Sequence, residues 1–346
     1  MSQTLTSPQR FARKGRGHMT ATATLPPDPA FDAGPGSRPS ILSDWTAEHT
    51  ARFQKSILGF GHDLAATNLF TDQALAAMLD AHPESELDVC TMGDGGEAYP
   101  DRFRTGDFRG ADGATLVRAA KEGRIWINAR RAMNIHPEYQ DVMGRMYGDL
   151  AQAMGRSPFN ARGGILISSP IARVPYHTDK TETILWHVRG RKRIFLYPDT
   201  EDFLPERAYE ATLTDIVDDD IPYDASLERG AQVVDLVPGR ALTWPLNSPH
   251  RVENQTFCVS VTTEYSTPES ALKNNAMLAN AVLRARFGLD PSFRSDGALT
   301  RRAKSVAGRV LKKAGLTPNT SSPDYVTFKV TPAGELEDVE PFVRDF

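Results

Sequence analysis

Residues 163–198 read GGILISSPIARVPYHTDKTETILWHVRGRKRIFLYP and decide the architecture of the chain. Short apolar runs alternate in this stretch with glycine, proline and polar residues, which is the pattern of short β-strands. The same texture continues to residue 266 through AQVVDLV, RALTWPL, HRVEN and FCVSVTTEYS. Because helix-length connectors are missing between most of these pieces, the stretch predicts an all-β sandwich or barrel.

Helical and mixed segments flank this β-rich stretch on both sides. In residues 70–83, Leu75, Met78 and Leu79 fall on one helical face after Thr71, which is a suitable N-cap. The same reasoning predicts helices at 114–123, 136–155, 268–288 and 298–314, and strands at 86–92, 124–130 and 324–330. The fold class expected from the sequence is therefore mainly β with flanking helices (α+β).

The composition shifts suggest a division into four parts. The first part is rich in proline, glycine and serine, and we expect it to be a disordered tail because it cannot bury enough apolar surface. The predicted parts are a tail at 1–43, a mixed α/β extension packed on the barrel at 44–159, the barrel at 160–266, and C-terminal helices with a final strand at 267–346.

Composition and charge exclude several classes of protein. The 346 residues carry a formal net charge of −4, which argues against nucleic-acid binding by bulk electrostatics. Two cysteines, Cys90 and Cys258, are too few for a disulfide framework, and they favour a reducing cytoplasmic location. The sequence has no apolar run of the length that a membrane span requires, so no membrane association is expected.

His177, Asp179 and His250 form a candidate metal site. Residues i and i+2 of a strand point to the same face, so His177 and Asp179 can enter one cavity, and His250 begins a later strand that could lie alongside. Two imidazoles and one carboxylate are the facial ligand set of non-haem Fe(II) oxygenases, which leaves coordination positions open. The alternative is that both histidines are structural and Asp179 is a turn residue.

Lys192 strengthens the metal-site interpretation. Arg189 and Gly190 form a natural reversal, so we expect Lys192 to begin a strand antiparallel to the one before it. A lysine that faces inward from an apolar strand needs an anionic partner. The distal carboxylate of 2-oxoglutarate would be such a partner, whereas a solvated charge at a hairpin edge is the alternative.

At these residues the chain resembles the JmjC and cupin-like Fe(II)/2-oxoglutarate-dependent oxygenases. The similarity lies in PYHTDKTETILWHVRGRKRIFLYP and VPGRALTWPLNSPHRVEN, within residues 160–266, and is greatest to the asparaginyl hydroxylases of hypoxia-inducible factor. The resemblance implies a cupin-type double-stranded β-helix (jelly roll). It also implies that His177, Asp179 and His250 bind Fe(II) and that Lys192 holds 2-oxoglutarate.

The sequence departs from the family pattern at several positions. Val174 stands where relatives often have a hydroxyl that contacts 2-oxoglutarate, and Thr183 stands where the similar hydroxylases have asparagine. The stretch WPLNSPH lacks the usual aromatic residue just before the last ligand. Thr183 remains the candidate for a second 2-oxoglutarate contact, and the predicted metal ligands are intact.

Several further residues have two interpretations each. Arg173 could contact an acidic substrate or reach solvent, and His187 could line the pocket or belong to the core. The acidic run Asp215–Asp220 could shape substrate entry or be a solvated loop.

The resemblance implies an enzyme that uses Fe(II), 2-oxoglutarate and O₂ to hydroxylate or demethylate a protein side chain or a small molecule. One alternative is a cupin enzyme that binds metal without 2-oxoglutarate chemistry, and another is a non-catalytic sensor module. The helix at 268–288 leaves a homo-oligomer open, because its apolar residues could dock on a partner or on the barrel.

Overall fold

The computed structural model describes residues 40–92, 103–214, 221–317 and 324–346. Most of the predicted tail at 1–43 and the acidic run Asp215–Asp220 therefore lie outside the described residues. Within the described ranges the chain is a mixed α/β structure with one ten-stranded and one four-stranded sheet.

The strands in these ranges are β1 Leu58–Gly61, β2 Leu87–Met92, β3 Phe103–Asp107, β4 Trp126–Ala129, β5 Phe159–Ser168, β6 Arg173–His177, β7 Glu182–Arg189, β8 Lys192–Leu196, β9 Gln232–Leu236, β10 Arg240–Thr243, β11 His250–Asn254, β12 Cys258–Ser266, β13 Tyr325–Val330 and β14 Leu336–Val343. The helices are α1 Ala47–Arg52, α2 Asp72–Asp80, α3 Gly113–Lys121, α4 Ala132–Ile135, α5 Pro137–Met154, α6 Glu206–Leu213, α7 Pro268–Phe287 and α8 Ala298–Lys313.

Some of the helices begin or end at residues that satisfy free backbone groups or suit the end of a helix. Thr71 is the N-cap of α2, and its side chain accepts a hydrogen bond from the backbone N–H of Ala74. Helix α5 ends at Gly155, whose φ of 67° lies in the left-handed region that glycine adopts readily. None of the helices in the described chain is long and apolar enough to cross a bilayer.

Strands β5 to β12 form two sheets that pack face to face. The larger sheet contains the order β10-β7-β12-β5, and the smaller sheet has the order β6-β11-β8-β9, with antiparallel pairing throughout. Successive strands mostly alternate between the two sheets, so side chains such as Leu185 and Leu242 from one sheet meet Ile194 and Val252 from the other.

Strand β7 is buried on both of its faces. Leu185 points between the two sheets, whereas Ile184, Trp186 and Val188 join the main core on the opposite side. A central strand that is covered on both faces needs an almost continuous apolar sequence. This requirement explains the run TILWHV, which a strand with one solvated face would not tolerate.

The predicted hairpin between β7 and β8 is wrong. The two strands belong to different sheets, since β7 pairs with β10 and β12 while β8 pairs with β11 and β9. Gly190 between them has φ of 88°, and an added Cβ would lie 2.1 Å from the carbonyl oxygen of Phe257. The tight turn at glycine therefore carries the chain across from one sheet to the other instead of folding it back.

The larger sheet continues past β5 into strands from both halves of the chain. Strand β4 pairs with β5, and the order then runs through β2, β3, β13 and β14. Strand β13 is parallel to β3, which joins the C-terminal residues to the N-terminal half. The sequence predicted one final strand at 324–330, but β14 follows it. Most of the β14 side chains are exposed, so its sequence lacks the apolar alternation that would have indicated a strand.

Apolar residues of α7 pack against other parts of the same chain. Met277 and Val282 are buried, and α8 packs against α7 at Gly308, where an added Cβ would lie 1.9 Å from the carbonyl oxygen of Asn275. The absence of a side chain at this position lets the two helix backbones approach closely.

Candidate metal centre and cavity

The two histidines of the candidate site lie on neighbouring strands of the smaller sheet. His177 ends β6 and His250 begins β11, and the two residues are direct partners in the antiparallel register. Their ring centroids are 4.1 Å apart. Asp179 lies two residues beyond the end of β6, in the turn that leads to β7, rather than on the strand itself.

The three side chains offer ligand atoms that converge. One atom from each of His177, Asp179 and His250 lies within 4.8 Å of the others, and His250 Nε2 is 3.7 Å from Asp179 Oδ2. The structure thus brings together all three residues that the sequence singled out. Their spacing is compatible with a single cation between them.

Hydrogen bonds orient both imidazole rings toward the centre of the cluster. His177 Nδ1 is 2.8 Å from the carbonyl oxygen of Pro175, and His250 Nδ1 is 3.2 Å from that of Ser248. A carbonyl oxygen only accepts, so each Nδ1 carries the proton and each Nε2 keeps its lone pair for a metal. The backbone therefore fixes the tautomer that metal binding requires.

The protonation state of His250 and the missing hydrogen-bond donor at Asp179 are also compatible with a bound cation. Burial, together with the nearby His177, lowers the pKa of His250 to about 4, so this imidazole is neutral at pH 7. Asp179 Oδ2 is buried and has no hydrogen-bond donor among the described residues. A buried carboxylate oxygen without a donor is costly, and coordination to a metal would remove that cost.

Asn247 holds the peptide that carries Asp179. Its Nδ2 donates to the carbonyl oxygen of Asp179 at 2.7 Å and to the Tyr209 hydroxyl at 2.7 Å. In return, Thr178 Oγ1 donates to the carbonyl oxygen of Asn247 at 2.7 Å. Asn247 has φ of 64°, a left-handed conformation that asparagine tolerates better than most residues. The sequence analysis did not identify this positioning role.

Lys192 lines the same cavity as His177 and His250. Its side chain is 3% exposed, and burial lowers the pKa of its ammonium group. Among the described residues, no carboxylate lies within ion-pairing distance of Nζ, in contrast to Lys273, which is 2.5 Å from Asp199. A buried cation without a protein anion is expensive unless a ligand supplies the negative charge.

The cavity that joins these groups has a volume of about 560 Å³. Thr183 is buried on its wall and its Oγ1 makes a long hydrogen bond, 3.4 Å, to the carbonyl oxygen of Thr181. Val174 also lines the wall but has no polar atom to offer. Asn254 is the register partner of Lys192, and its buried Oδ1 has no partner in the described chain. Thr183 and Asn254 are thus two polar residues of the cavity that contains Lys192.

His187 does not line this cavity. It is fully buried, with Nδ1 3.0 Å from Ser260 Oγ and Nε2 3.0 Å from the carbonyl oxygen of Gly190. Burial, with a smaller effect of Lys192, lowers the pKa of His187 to about 3, so it is a neutral core residue.

The outer part of the cavity contains residues that the sequence analysis missed. Arg130, Arg131 and Trp126 come from the N-terminal half, and Arg162 comes from β5. They join Arg173, which was already a candidate for substrate contact. The adjacent arginines at 130 and 131, directly after a strand, were a visible signal, but only pairing of β4 with β5 brings them to the cavity.

No protein-family model and no curated protein sequence matches the chain. Among solved structures, the ribosomal oxygenase YcfD from Escherichia coli in complex with cobalt and succinic acid is 16% identical, with a TM-score of 0.44; the match covers 78% of this chain and 66% of that chain. YcfD in complex with cobalt and 2-oxoglutarate matches over the same shares with a TM-score of 0.43. The chain thus spans just under two thirds of the length of these proteins, and similarity at this level assigns no function to it.

Proposed function

We propose that this protein is an Fe(II)- and 2-oxoglutarate-dependent oxygenase of the JmjC and cupin-like type. One observation carries the proposal: three metal-binding side chains and a buried ammonium group without a protein anion share one cavity. Each half of this arrangement leaves a buried polar group without a protein partner in the described chain, Asp179 Oδ2 in one and the Lys192 ammonium group in the other. A metal ion chelated by a dicarboxylate would satisfy both at once.

The arrangement of β5 to β12 supports the same proposal. Eight antiparallel strands that mostly alternate between two facing sheets, with β8 and β9 in the same sheet, fit the organisation of a double-stranded β-helix. We infer that residues 160–266 are this barrel, that 44–159 form an extension packed on it and that 267–346 complete the chain. The metal-binding side chains then lie at one mouth of the barrel, where β6 and β11 meet.

Each residue of the cavity has a distinct task in this proposal. His177, Asp179 and His250 would hold Fe(II) on one face, and Lys192, with Thr183 or Asn254, would bind the distal carboxylate of 2-oxoglutarate. Bound there, iron and 2-oxoglutarate supply the activation of O₂ that oxidises an unactivated C–H bond, with succinate and CO₂ as by-products. The apolar side chains that line the same cavity, Leu185, Trp244 and Val252, exclude water from the reacting atoms.

The substrate in this proposal is a protein side chain or a small molecule, which is either hydroxylated or demethylated. The two cysteines of the described chain, Cys90 and Cys258, are both free and buried, which fits the proposed cytoplasmic location.

An anaerobic titration with Fe(II) and 2-oxoglutarate tests the proposal. We expect a weak visible charge-transfer band in the wild-type protein, followed by slow conversion of 2-oxoglutarate to succinate when O₂ is admitted. His177→Ala should abolish both, whereas His49→Ala, which changes a histidine on α1 outside the cavity, should abolish neither. Metal binding without the band or succinate would instead indicate a cupin enzyme of other chemistry. Absence of metal binding would indicate a non-catalytic module.

A further inference from the structure

We propose that the substrate carries an anionic group, a carboxylate or a phosphate, that binds at the arginine-rich outer part of the cavity. We call this part the arginine mouth, and it consists of Arg130, Arg131, Arg162 and Arg173. The inference rests on the proposed function for the reaction itself, but it concerns which molecules can enter and be held.

One sheet face leads from the arginine mouth to the interior of the cavity. On β5, the alternate residues Arg162, Gly164, Leu166 and Ser168 all line the cavity, as the two-residue period of a strand requires. Gly164 has no side chain to project into the cavity from this face, and an added Cβ would lie in contact with the Ala129 carbonyl oxygen and Thr262, each at 3.4 Å. A substrate could therefore lie along β5 with one end at the mouth and its reacting carbon inside.

The mouth concentrates arginine side chains. Four arginines line it together with the carboxylates of Glu86 and Glu264, and Asp88 lies 3.3 Å from Arg130. Several guanidinium groups around one cavity attract an anion.

Arg130 and Arg162 each contact one of these two glutamates only at long range. Arg130 Nε is 3.8 Å from Glu86 Oε2, and Arg162 Nη2 is 3.9 Å from Glu264 Oε2. Charge-assisted hydrogen bonds are typically about 2.7–2.9 Å long. The closest carboxylate to Arg130 is Asp88, at 3.3 Å, which is itself bound by Arg344 at 2.9 Å.

Elsewhere in the chain, an arginine forms a short, bidentate salt bridge with a carboxylate. Arg193 makes two hydrogen bonds to Asp235, at 2.7 and 2.9 Å, in the bidentate geometry that guanidinium groups favour. Arg130 Nη2 donates to the carbonyl oxygen of Ser85, so its guanidinium is partly used by the protein. Arg162, whose distance to Glu264 is 3.9 Å, keeps more of its donors for oxygen atoms of a ligand.

Trp126 provides an independent sign that an acceptor binds here. Its indole lines the cavity beside the arginines, and its buried Nε1 has no hydrogen-bond partner in the described chain. The indole N–H can only donate, so the missing partner is an acceptor. Guanidinium groups and an indole N–H without a partner are hydrogen-bond donors, so together they favour an oxyanion over a cation or a neutral apolar group.

Peptide binding to the full chain tests this inference. The probes are fluorescently labelled hexaglutamate, hexaglutamine and hexalysine at fixed ionic strength, measured by anisotropy. We expect hexaglutamate to bind about tenfold more tightly than hexaglutamine, a difference of about 1.4 kcal/mol in binding free energy. The double variant Arg130→Gln/Arg162→Gln should lose this preference. Arg302→Gln, on the exposed surface of α8, should keep it.

A single variant and a competition experiment test the contribution of Arg162 and the preferred anion. Arg162→Gln alone should reduce hexaglutamate binding to an intermediate degree, which shows the effect in a variant with a single surface change. Unlabelled tripolyphosphate competes with hexaglutamate. If a lower concentration of tripolyphosphate than of unlabelled hexaglutamate displaces the labelled peptide, a phosphate is the preferred anion. If the lower concentration is that of unlabelled hexaglutamate, a carboxylate is preferred.

The inference is overturned if hexaglutamate binds the wild type and the double variant equally, or if hexalysine binds the wild type more tightly than hexaglutamate does. Its failure is distinguishable from failure of the proposed function. Conversion of 2-oxoglutarate to succinate by the wild type without peptide reports only the oxygenase chemistry, and peptide anisotropy reports only the arginine mouth.

Discussion

At the scale of single residues, Asn247 connects an unusual backbone conformation to the loop that carries Asp179. Its amide donates a hydrogen bond to the carbonyl oxygen of Asp179, so it would act on a bound metal through Asp179 without touching it. Groups that orient metal ligands typically change metal affinity by about 10–100-fold when they are removed.

We therefore expect Asn247→Gly to weaken Fe(II) binding by about 10–100-fold while the protein stays folded. Glycine accepts the φ of 64°, so the variant removes the amide contacts without adding backbone strain. Anaerobic Fe(II) titration measures the effect. Asn160→Gly is the matched control, since Asn160 also has a positive φ, of 53°, but lies near the start of β5, outside the loop that carries Asp179. Wild-type affinity in Asn247→Gly would refute the positioning role.

Lys192 presents a conflict between stability and binding. We expect Lys192→Met to raise the free energy of unfolding of the ligand-free protein by about 0.5–2 kcal/mol, because it replaces a buried unpaired cation by an apolar side chain of similar length. The same variant should lose all thermal stabilisation by added 2-oxoglutarate. Urea denaturation and thermal melts measure the two effects. Lys312→Met, at an exposed position, should change neither. A destabilised variant would contradict this explanation.

The predictable part of the site consists of residues whose chemistry and local spacing are visible in the sequence. His177 and Asp179 are two residues apart, and His250 lies in a second short strand, so a shared metal site could be proposed without coordinates. The role of Asn247 could not, because it depends on a left-handed backbone and on a contact across 68 residues. The same holds for Trp126, whose unpartnered nitrogen appears only in the folded cavity.

At the scale of elements, the turn at Gly190 determines which sheet receives β8. Most strands and helices were predictable because their apolar periodicity is local, as for α5 and β7. The pairing partner of β8 was not, since glycine in a tight turn is compatible both with a hairpin and with a crossing between sheets. Steric contacts with Phe257, distant in sequence, determine the outcome.

Substitutions of two glycines separate backbone strain from steric conflict in this turn. Gly190→Ala and Gly123→Ala both place alanine at a positive φ, of 88° and 85°, which costs about 1–2 kcal/mol. Nothing lies near Gly123, whereas the new Cβ at 190 would overlap the Phe257 carbonyl. We expect Gly190→Ala to be the more destabilising by at least about 1 kcal/mol in urea denaturation. Equal losses would show that the turn can relax.

At the scale of the whole molecule, the ten-stranded sheet joins β5 to β12 with strands from both ends of the described chain. Strands β2 to β4 and the β13–β14 hairpin extend this sheet beyond β5 by hydrogen bonds, and the arginine mouth lies where the extension meets β5. The sequence could not predict this continuity, because parallel pairing of β13 with β3 joins residues more than 200 positions apart.

The buried histidines predict how stability depends on pH. Burial lowers the pKa of His62 to about 4 and that of His187 to about 3, so the unfolded chain binds more protons below pH 6.5. The stability that the neutral rings contribute is present above pH 6.5. It is lost as the pH falls toward 4, by up to about 1.4 kcal/mol per pH unit for each ring.

Comparison with His62→Gln isolates one of these rings, because glutamine can still donate to the carbonyl oxygen of His187 but does not titrate. In urea denaturation at pH 7.5, 6 and 5, we expect the stability deficit of the variant to shrink as the pH decreases. A deficit that stays constant would mean that His62 titrates normally in the folded protein.

The pairing of β11 has a consequence for how the protein is assembled. His250 is aligned with His177 on one side and with Leu196 on the other, and side chains of a strand alternate between its two faces. A chain that folded with β11 displaced by one residue would turn this imidazole to the opposite face of the sheet, away from His177. Such a chain would lose the proposed metal site, so the affinity of refolded protein for a divalent cation would report whether these two strands are correctly aligned.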